Sequence, residues 1–432
     1  AQLQAQKQSL LLCEKQFAEA ARGYRQLIDE LDHNAQAARA RCETVVGGFV
    51  QQMLGDGDAV IRLLSEGLGD RAALHSVNVT VLCLLLGKAM GLSADALGDL
   101  GTAMHQGAKA AFAVVNARGG VHGRKIELEV QDDGYDIPRA LANVDKFLAD
   151  KDCFALFNCM GTPMVQAMLP KVLESGIPFF APFTGGQLSR VPGARNIFNI
   201  RASYAEEAEK AVQHLATIGI RRISVVYQNN TFGKEVFAGA QLAMENAKLP
   251  SAITATVEND ASDAGSAARK LADSNPEAVL IGLAGKPALE FVKAFRALRQ
   301  GVSLYALSVL GTSANVKALG ANATGMAISQ VVPLPTNVIT PVVRDFQQAL
   351  KMLETPVEPS HLALEGYINA RVFIEALQRA GKSPTRAAFI DATWSLKKID
   401  LGGFDIQATT PERNASRFVE LTMVSRDGRF LR

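Results

Sequence analysis

From Gly101 onward, short apolar segments alternate with amphipathic segments almost without interruption. Continuous apolar strands that alternate with amphipathic helices are typical of parallel sheets covered by helices on both faces. We predict strands at residues 126–130, 153–158, 178–181, 223–228, 253–257, 278–283, 304–309 and 326–332. Helices are predicted between them at residues 164–174, 205–218, 234–247, 264–273 and 287–298. The predicted fold class is therefore α/β.

Roughly 330 residues of this pattern exceed what one core supports and suit two doubly wound lobes better than one. The lobes are predicted to meet at three crossings, at residues 201–204, at the two prolines of 331–335, and at the paired glycines of 400–404. This divides the chain into a helical segment (1–100), a first lobe (101–202 and 333–400) and a second lobe (203–332 and 401–432). Three crossings make a hinge with a cleft, where such folds bind ligands.

Composition excludes several classes of protein. A net charge of +2 gives no reason to expect nucleic acid or an anionic membrane as partner. No apolar run approaches the roughly 20 residues that span a bilayer, and the N-terminal residues do not have the pattern of a signal peptide. The five cysteines match no zinc pattern, and Cys153 and Cys159 lie too far apart along one strand to pair. We expect free thiols, no metal and no cofactor.

The segment "FNCMGTPMVQAMLP" places Gly161 and Thr162 at a strand end, directly before a helix. Free backbone N–H groups and the helix dipole favour a carboxylate or another anion there. The alternative is that Thr162 only caps its helix. Capping and binding are compatible, and we favour both.

A family resemblance rests on six segments that fall in the family's order: "GAKAAFAVVNARGGVHGRKIELEVQDDGYD", "GTPMVQAMLPKVLESGIPFFAP", "NIFNIRASYAEEAE", "VVYQNNTFGKEVFAGA", "EGYINARVFIEAL" and "DLGGFDI". Residues 101–432 resemble the type I periplasmic substrate-binding proteins of ABC transporters, in the Leu/Ile/Val-binding group. The resemblance implies two Rossmann-like lobes joined by three crossings, which close over a small organic ligand. It also implies a periplasmic location, an ABC permease as partner, and no enzymatic activity.

The resemblance also implies a set of ligand-binding residues. The family's carboxylate loop corresponds to Gly161 and Thr162, and its second contact to Phe183, Thr184 and Gly185. Tyr204 and Phe232 would supply aromatic walls from the second lobe, although ordinary core packing explains either ring about as well. The remaining candidates are Leu283, Ala284 and Ser308.

Two departures from the family bear on the ligand. Amino-acid-binding relatives place an acidic residue after the strand that corresponds to residues 304–309, whereas this chain reads "LYALSVLGTSAN" there. A buried, unpaired ammonium would cost several kcal/mol, which favours an uncharged or anionic ligand over a zwitterion. Some relatives also carry a disulfide near Cys159, but Tyr135 stands where its partner cysteine would be, so that bridge is absent.

The first hundred residues are predicted to be helical. Residues 9–44 have apolar residues at helical spacing, which favours a packed helix over a dimer seam. The segment "LHSVNVTVLCLLLGKAMGLSADALGDLG" resembles the opening helices of HD-GYP phosphohydrolases over residues 45–100. His75 matches one metal ligand, but His105-Gln106 stands where a His-Asp pair is required. We expect no catalysis, and we place His105 in the helix "LGTAMHQGAKAAFAVVN".

The family's interior first strand has no clear counterpart in this chain. Residues 76–82 alternate polar and apolar side chains and are rich in β-branched residues, which suits a strand. The same residues suit a helix, which we favour, leaving the first lobe without its usual first strand. Asp136 is predicted to cap the helix that follows, with Pro138 in its first turn.

The leading functional hypothesis is a solute-binding protein or sensor that works by hinge closure. Two alternatives remain: a metal-dependent HD-type phosphohydrolase or signalling fusion, and a scaffold that binds no ligand.

Overall fold

The computed structural model describes residues 94–432. The helices are α1 Ala94–Ala117, α2 Ile137–Ala149, α3 Thr162–Ser175, α4 Tyr204–Thr217, α5 Thr231–Asn246, α6 Ala264–Asp273, α7 Gly285–Leu298, α8 Ser313–Leu319, α9 Pro341–Leu350, α10 His361–Ala380 and α11 Arg386–Trp394. The strands are β1 Leu156–Phe157, β2 Phe179–Phe180, β3 Ile197–Phe198, β4 Ile223–Gln228, β5 Thr254–Val257, β6 Ala278–Gly282, β7 Ser303–Ala306, β8 Ala327–Gln330, β9 Ile399–Asp400, β10 Asp405–Ile406, β11 Glu420–Val424 and β12 Phe430–Leu431. The predicted α/β class is confirmed.

The larger sheet has seven strands in the order β12-β11-β8-β7-β6-β4-β5. The strands β5, β4, β6, β7 and β8 are parallel, while β11 and β12 pair antiparallel at one edge. Every residue of β6 is buried, because helices cover both faces of this sheet. A parallel sheet needs such two-sided cover, which explains its continuous apolar strands.

The smaller sheet has three parallel strands in the order β1-β2-β3, each of two residues. One face carries Phe180 and Phe198, which share a core cluster with Phe373 of α10 and Phe389 of α11. The other face packs on α2 and α3. We call the parts built on the three-stranded and seven-stranded sheets the first and second lobe.

The strand predicted at residues 126–130 is not formed. Among residues 94–432 no strand pairs with this segment, and a strand needs a partner for its backbone groups. The Asn116 side chain takes that part instead: the Ile126 N–H donates to Asn116 Oδ1 and Asn116 Nδ2 donates to the Ile126 carbonyl, both at 2.8 Å. Residues 76–82 and 9–44, for which helices were predicted, lie outside the described residues, as does His75.

The chain enters the second lobe at Tyr204, where α4 begins, and leaves the seven-stranded sheet after Gln330. The third crossing predicted at residues 400–404 is wrong. Those residues form the turn between β9 and β10, because the Asp400 carboxylate accepts from the N–H groups of both Gly402 and Gly403. The chain stays in the first lobe's core through Ala415, then joins the second lobe at β11. The lobe boundaries at 202/203 and 332/333 stay predictions.

Several local predictions are confirmed. Asp136 caps α2 by accepting from the Arg139 N–H at 2.9 Å, with a proline in the first turn. β4 and α6 have the predicted bounds, and His105 lies within α1. Cys153 and Cys159 are free thiols, and burial raises the pKa of Cys159 to about 12.

Within residues 94–432 no helix is long and apolar enough to cross a membrane.

Candidate functional site

The N-terminus of α3 lies at the carboxyl end of β1. Gly161 is the N-cap residue at φ 87°, and its N–H donates to the Phe183 carbonyl at 3.2 Å. A Cβ at position 161 would lie 2.5 Å from Met164 Cε and 2.6 Å from Tyr135 Cε2, so only glycine fits. No side chain caps this helix, which corrects the prediction that Thr162 does so.

The Thr162 hydroxyl instead joins two other hydroxyls. Its Oγ1 lies 2.9 Å from Thr184 Oγ1 and 3.1 Å from the Tyr204 hydroxyl. All three side chains are buried, and Thr184 Oγ1 also accepts from the Gly186 N–H at 3.0 Å. We call Thr162, Thr184 and Tyr204 the hydroxyl cluster. Because Tyr204 begins α4, this cluster joins the two lobes.

Gly185 makes the contact between the lobes close. Its carbonyl accepts from the Tyr204 N–H at 2.9 Å, and a Cβ at position 185 would lie 2.5 Å from the Tyr204 ring. Phe232, in the first turn of α5, meets that ring edge-on at a centroid distance of 5.2 Å. Phe183 belongs to the same buried group. The structure thus brings six predicted residues together around Tyr204: Gly161, Thr162, Phe183, Thr184, Gly185 and Phe232.

The three remaining candidates lie at strand ends of the second lobe, and each has different neighbours. The Leu283 side chain packs with Phe291 and Val292 in one core cluster. The rings of Phe183, Tyr204 and Phe232 lie in another. Ala284 is half-buried, and its N–H donates to Gln228 Oε1 at 3.1 Å. Ser308 lies beside Arg201, whose guanidinium Nη2 donates to Ser308 Oγ at 2.5 Å. Leu283 is therefore a core residue, whereas Ser308 borders the cluster.

Arg201 is the main residue that the sequence did not reveal. Its Cζ lies 4.3 Å above the Phe183 ring centroid and 5.9 Å from that of Tyr204. Two carboxylates flank it: Glu207 of α4 lies 3.4 Å from Nη2 and Glu365 of α10 lies 3.6 Å from Nε. Arg201, Glu207 and Glu365 form a buried ion group that spans both lobes.

Burial and the neighbouring charges shift two pKa values in this ion group. Burial alone lowers the pKa of Arg201, but Glu365 and Glu207 more than compensate, so it lies above its ordinary value. Burial raises the pKa of Glu365 to about 7, opposed by Arg201 and reinforced by Glu207. Glu365 therefore exchanges its proton near neutral pH. No local motif unites these residues; the only sequence signal was that Arg201 falls in the predicted crossing at residues 201–204.

Two further contacts hold the lobes together beside the hydroxyl cluster. The Gln187 N–H donates to Glu235 Oε2 at 3.0 Å, and Thr231 Oγ1 donates to Gln166 Oε1 at 2.6 Å. Gln166 lies on α3 and both Thr231 and Glu235 lie on α5. The two helices meet across the boundary between the lobes, and we call this contact the closed arrangement.

Two depressions of about 420 and 460 Å³ lie elsewhere on the surface. Both are lined by Gly403 and Phe418, and none of the predicted ligand residues lines either. Within residues 94–432 no group of three His, Cys, Asp or Glu side chains could hold a metal ion. The residues around Tyr204 remain the best candidate site on geometric grounds.

Residues 91–429 match the family model described as "Periplasmic binding protein". The chain is similar to a substrate-binding periplasmic protein from Ralstonia solanacearum, at 30% identity and a TM-score of 0.71, covering 77% of this chain and 95% of that one. A possible leucine/isoleucine/valine-binding protein from Rhodopirellula baltica has 26% identity and a TM-score of 0.72, covering 77% and 92%. The curated "Leu/Ile/Val-binding protein homolog 3" of Brucella melitensis is 22% identical over 332 residues, 76% of this chain and 86% of that protein.

Proposed function

The chain belongs to the periplasmic binding protein family, and from this premise we propose that its two lobes capture a carboxylate-bearing or neutral organic solute around Tyr204. The observation that carries the proposal is the hydroxyl cluster, where Thr162 and Thr184 of the first lobe meet Tyr204 of the second. A ligand that bonds to groups on both lobes favours closure, because it binds the closed state better than the open one.

The backbone at α3 supports an acceptor-rich ligand group. No side chain caps this helix, so the N–H groups of its first turn have no side-chain acceptor. The helix dipole favours negative charge at the same place. A ligand carboxylate or carbonyl that enters when the lobes part would find these donors beside the hydroxyls of Thr162 and Thr184.

The end of β7 supports a ligand without an ammonium group. Ser308 stands there, and its N–H and hydroxyl donate to Glu207 at 2.8 and 3.1 Å. The Glu207 carboxylate also accepts from Ser329 Oγ at 2.6 Å and pairs with Arg201. With its oxygens engaged in this way, Glu207 offers no free charge to a ligand ammonium, and burying one unpaired is costly.

The family supplies the setting of the proposal. Its members are solute-binding proteins, and we propose delivery to an ABC permease in the periplasm, without chemistry on the ligand. The proposed ligand residues are Gly161, Thr162, Phe183, Thr184, Gly185, Tyr204, Phe232, Ala284 and Ser308. No observation on residues 94–432 favours the phosphohydrolase alternative.

The test is a thermal-shift and calorimetry screen against amino acids, aromatic acids, amides and short-chain organic acids. Thr162→Val removes the hydroxyl while it keeps the shape of the side chain, and we expect it to weaken binding about tenfold or more, the effect of one lost hydrogen bond to a charged group. Thr422→Val, at an equally buried threonine of β11 that donates to Ile328, is the matched control and should bind normally. Equal binding by both variants, or no binding by the wild type, would favour the scaffold alternative.

A further inference from the structure

One helix of the first lobe crosses the ends of its sheet. Asn369 of α10 donates through Nδ2 to Asn158 Oδ1 at 2.9 Å, directly after β1. One turn earlier on α10, Glu365 lies beside Arg201, which follows β3. Because residues four apart share one face of a helix, Glu365 and Asn369 present a polar stripe toward the carboxyl ends of β1, β2 and β3. Ligands bind at such strand ends in doubly wound folds.

Four buried polar atoms on or beside this stripe have no hydrogen-bond partner. They are Arg201 Nε, Arg201 Nη1, Asn158 Nδ2 and Asn369 Oδ1. The 3.6 Å between Arg201 Nε and Glu365 is an ion-pair contact too long for a hydrogen bond. Arg201 and Asn369 are 4% and 2% exposed, so water does not supply the missing partners freely. Buried polar groups are almost always bonded, and an orphaned one needs an explanation.

The orphaned groups adjoin the proposed ligand site. The Arg201 guanidinium contacts Glu365 and lies over the rings of Phe183 and Tyr204. Tyr204 in turn bonds to Thr162 at the start of α3. Three of the four orphaned atoms are donors, so the ligand group that satisfies them must be rich in acceptors.

We infer that Arg201, assisted by Asn158 and Asn369, is a specificity-determining residue of the ligand site and selects a solute with a carboxylate over its neutral analogue. The inference rests on the proposed function and narrows it from a carboxylate or neutral ligand to an anionic one. The free N–H groups of Nε and Nη1 lie on different edges of the planar guanidinium, so each can donate to an acceptor oxygen of the ligand, and a lysine ammonium does not reproduce this arrangement.

Glu365 gives the inference a second, independent readout. A ligand carboxylate placed near Arg201 would also lie near Glu365, and a nearby negative charge disfavours the ionised form of a carboxyl group. Since the Glu365 pKa is already about 7, ligand binding at neutral pH should draw a proton from solution. His361, one turn before Glu365, stays neutral at that pH because burial lowers its pKa to about 3. Glu207 and Arg201 are the other charged groups that face Glu365.

The experiment uses matched acid and amide pairs on the full chain: 4-methylpentanoate with 4-methylpentanamide, phenylacetate with phenylacetamide, and benzoate with benzamide. We expect the wild type to bind the acid of at least one pair about tenfold or more tightly than its amide. Arg201→Lys should reduce that preference to less than about threefold. Arg296→Lys is the control, because the half-buried Arg296 guanidinium donates to the carbonyls of Asn322, Gln300 and Val302 and bonds to none of the proposed ligand residues; it should keep the preference.

Calorimetry of the preferred acid in buffers of different ionisation enthalpy measures proton uptake. The wild type should take up a fraction of a proton at pH 7, and Glu365→Gln should take up none. Equal binding of acid and amide, or an undiminished preference in a folded Arg201→Lys variant, overturns the inference and leaves the proposed function standing. If Arg201→Lys does not fold, equal binding of acid and amide by the wild type still overturns the inference. Failure of the wild type to bind any of the six compounds or the wider screen overturns the proposed function together with the inference.

Discussion

The two lobes use the same kinds of element but differ in how their sheets are held. The second lobe has seven strands, and β4 runs for six residues with hydrogen-bonded neighbours on both sides. The main sheet of the first lobe, within the described residues, has three strands of two residues each, and β9 and β10 form a separate short pair. Yet the proposed carboxylate loop follows β1, so the site is attached to the sheet with the shorter strands.

Packing holds the first lobe where backbone pairing is short. Phe180 stacks on Phe198 at 5.2 Å and meets Phe373 of α10 edge-on at 5.2 Å. The helices α1 and α10 approach so closely that a Cβ at Gly366 would lie 2.0 Å from the Met104 carbonyl oxygen. The difference indicates that the loops of the site are positioned by aromatic rings and helix contacts rather than by an extended sheet.

The largest expected effect comes from removing one buried ring from each lobe, which tests whether the two lobes are separate packing units. Phe180→Ala and Phe295→Ala each remove a fully buried ring, one from each lobe, and each should lower the free energy of unfolding by about 3–5 kcal/mol. Hydrogen exchange should separate them, because Phe180→Ala should speed exchange in α3 and α10 while β4 and β6 stay protected. Phe295→Ala should do the reverse. Equal acceleration in both lobes by either variant would show that the lobes are not separate packing units.

Gly366→Ala tests the close approach of α1 and α10. The added methyl group must push the helices apart, which should cost about 1–3 kcal/mol in urea unfolding. Gly265→Ala in α6 of the second lobe is the control, since nothing lies within 4 Å of its added Cβ. That variant should be neutral or stabilising by up to about 1 kcal/mol. A Gly366→Ala protein as stable as the control would contradict close helix packing as the support of the first lobe.

Glu365→Gln tests the ion group of Arg201, Glu207 and Glu365, which joins the two lobes. The folded pKa of about 7 exceeds the ordinary value of 4.5, so proton binding by Glu365 stabilises the fold fully below pH 4.5. That contribution, on the order of 1–3 kcal/mol, is lost as pH rises through 7. The difference in unfolding free energy between variant and wild type should therefore change across pH 4.5–8. The opposite trend from His361 is common to both proteins and cancels; a pH-independent difference would contradict the assignment.

The smallest expected effect compares one helix cap in each lobe. Asp136→Ala removes the cap of α2, and Asn230→Ala removes the cap of α5, whose side chain accepts from the Gly233 N–H at 3.0 Å. Each should cost about 1 kcal/mol. Faster exchange should stay local to α2 in the first variant and to α5 in the second. A loss above about 3 kcal/mol in either would mean that the cap supports more than its own helix.

The sequence predicted the elements whose signal is local. β4 and α6 have the predicted bounds because strong periodicity and turn residues mark both ends. Residues 126–130 have an equally clear strand pattern but no paired neighbour among the described residues, and pairing is not encoded locally. The glycines at 402 and 403 indicated unusual backbone angles correctly, at φ 97° and 85°, but not whether the chain turned or crossed.

The candidate site also has residues that the sequence predicted and residues that it did not. The grouping of Thr162, Thr184 and Tyr204 was implied by the family resemblance, and strand order explains it, since the ends of β1, β2 and β3 are neighbours. Arg201 and Glu365 are separated by more than 150 residues and meet only through the packing of α10 over those strand ends. The structure does not group Leu283 with the other candidates, because side chains alternate between the two faces of a sheet and that of Leu283 packs in a different core cluster.

The most direct test of the account measures closure of the two lobes on a ligand. Keto-bearing residues carrying spin labels would replace Glu174 and Glu245, exposed positions near the far ends of α3 and α5, which leaves the native cysteines unmodified. Pulsed electron spin resonance would record the distance distribution with and without a bound acid from the panel. We predict two populations without the acid and a single one with it, at the separation of the closed arrangement. An unchanged distribution at saturating ligand, with binding verified by calorimetry, would contradict capture by hinge closure.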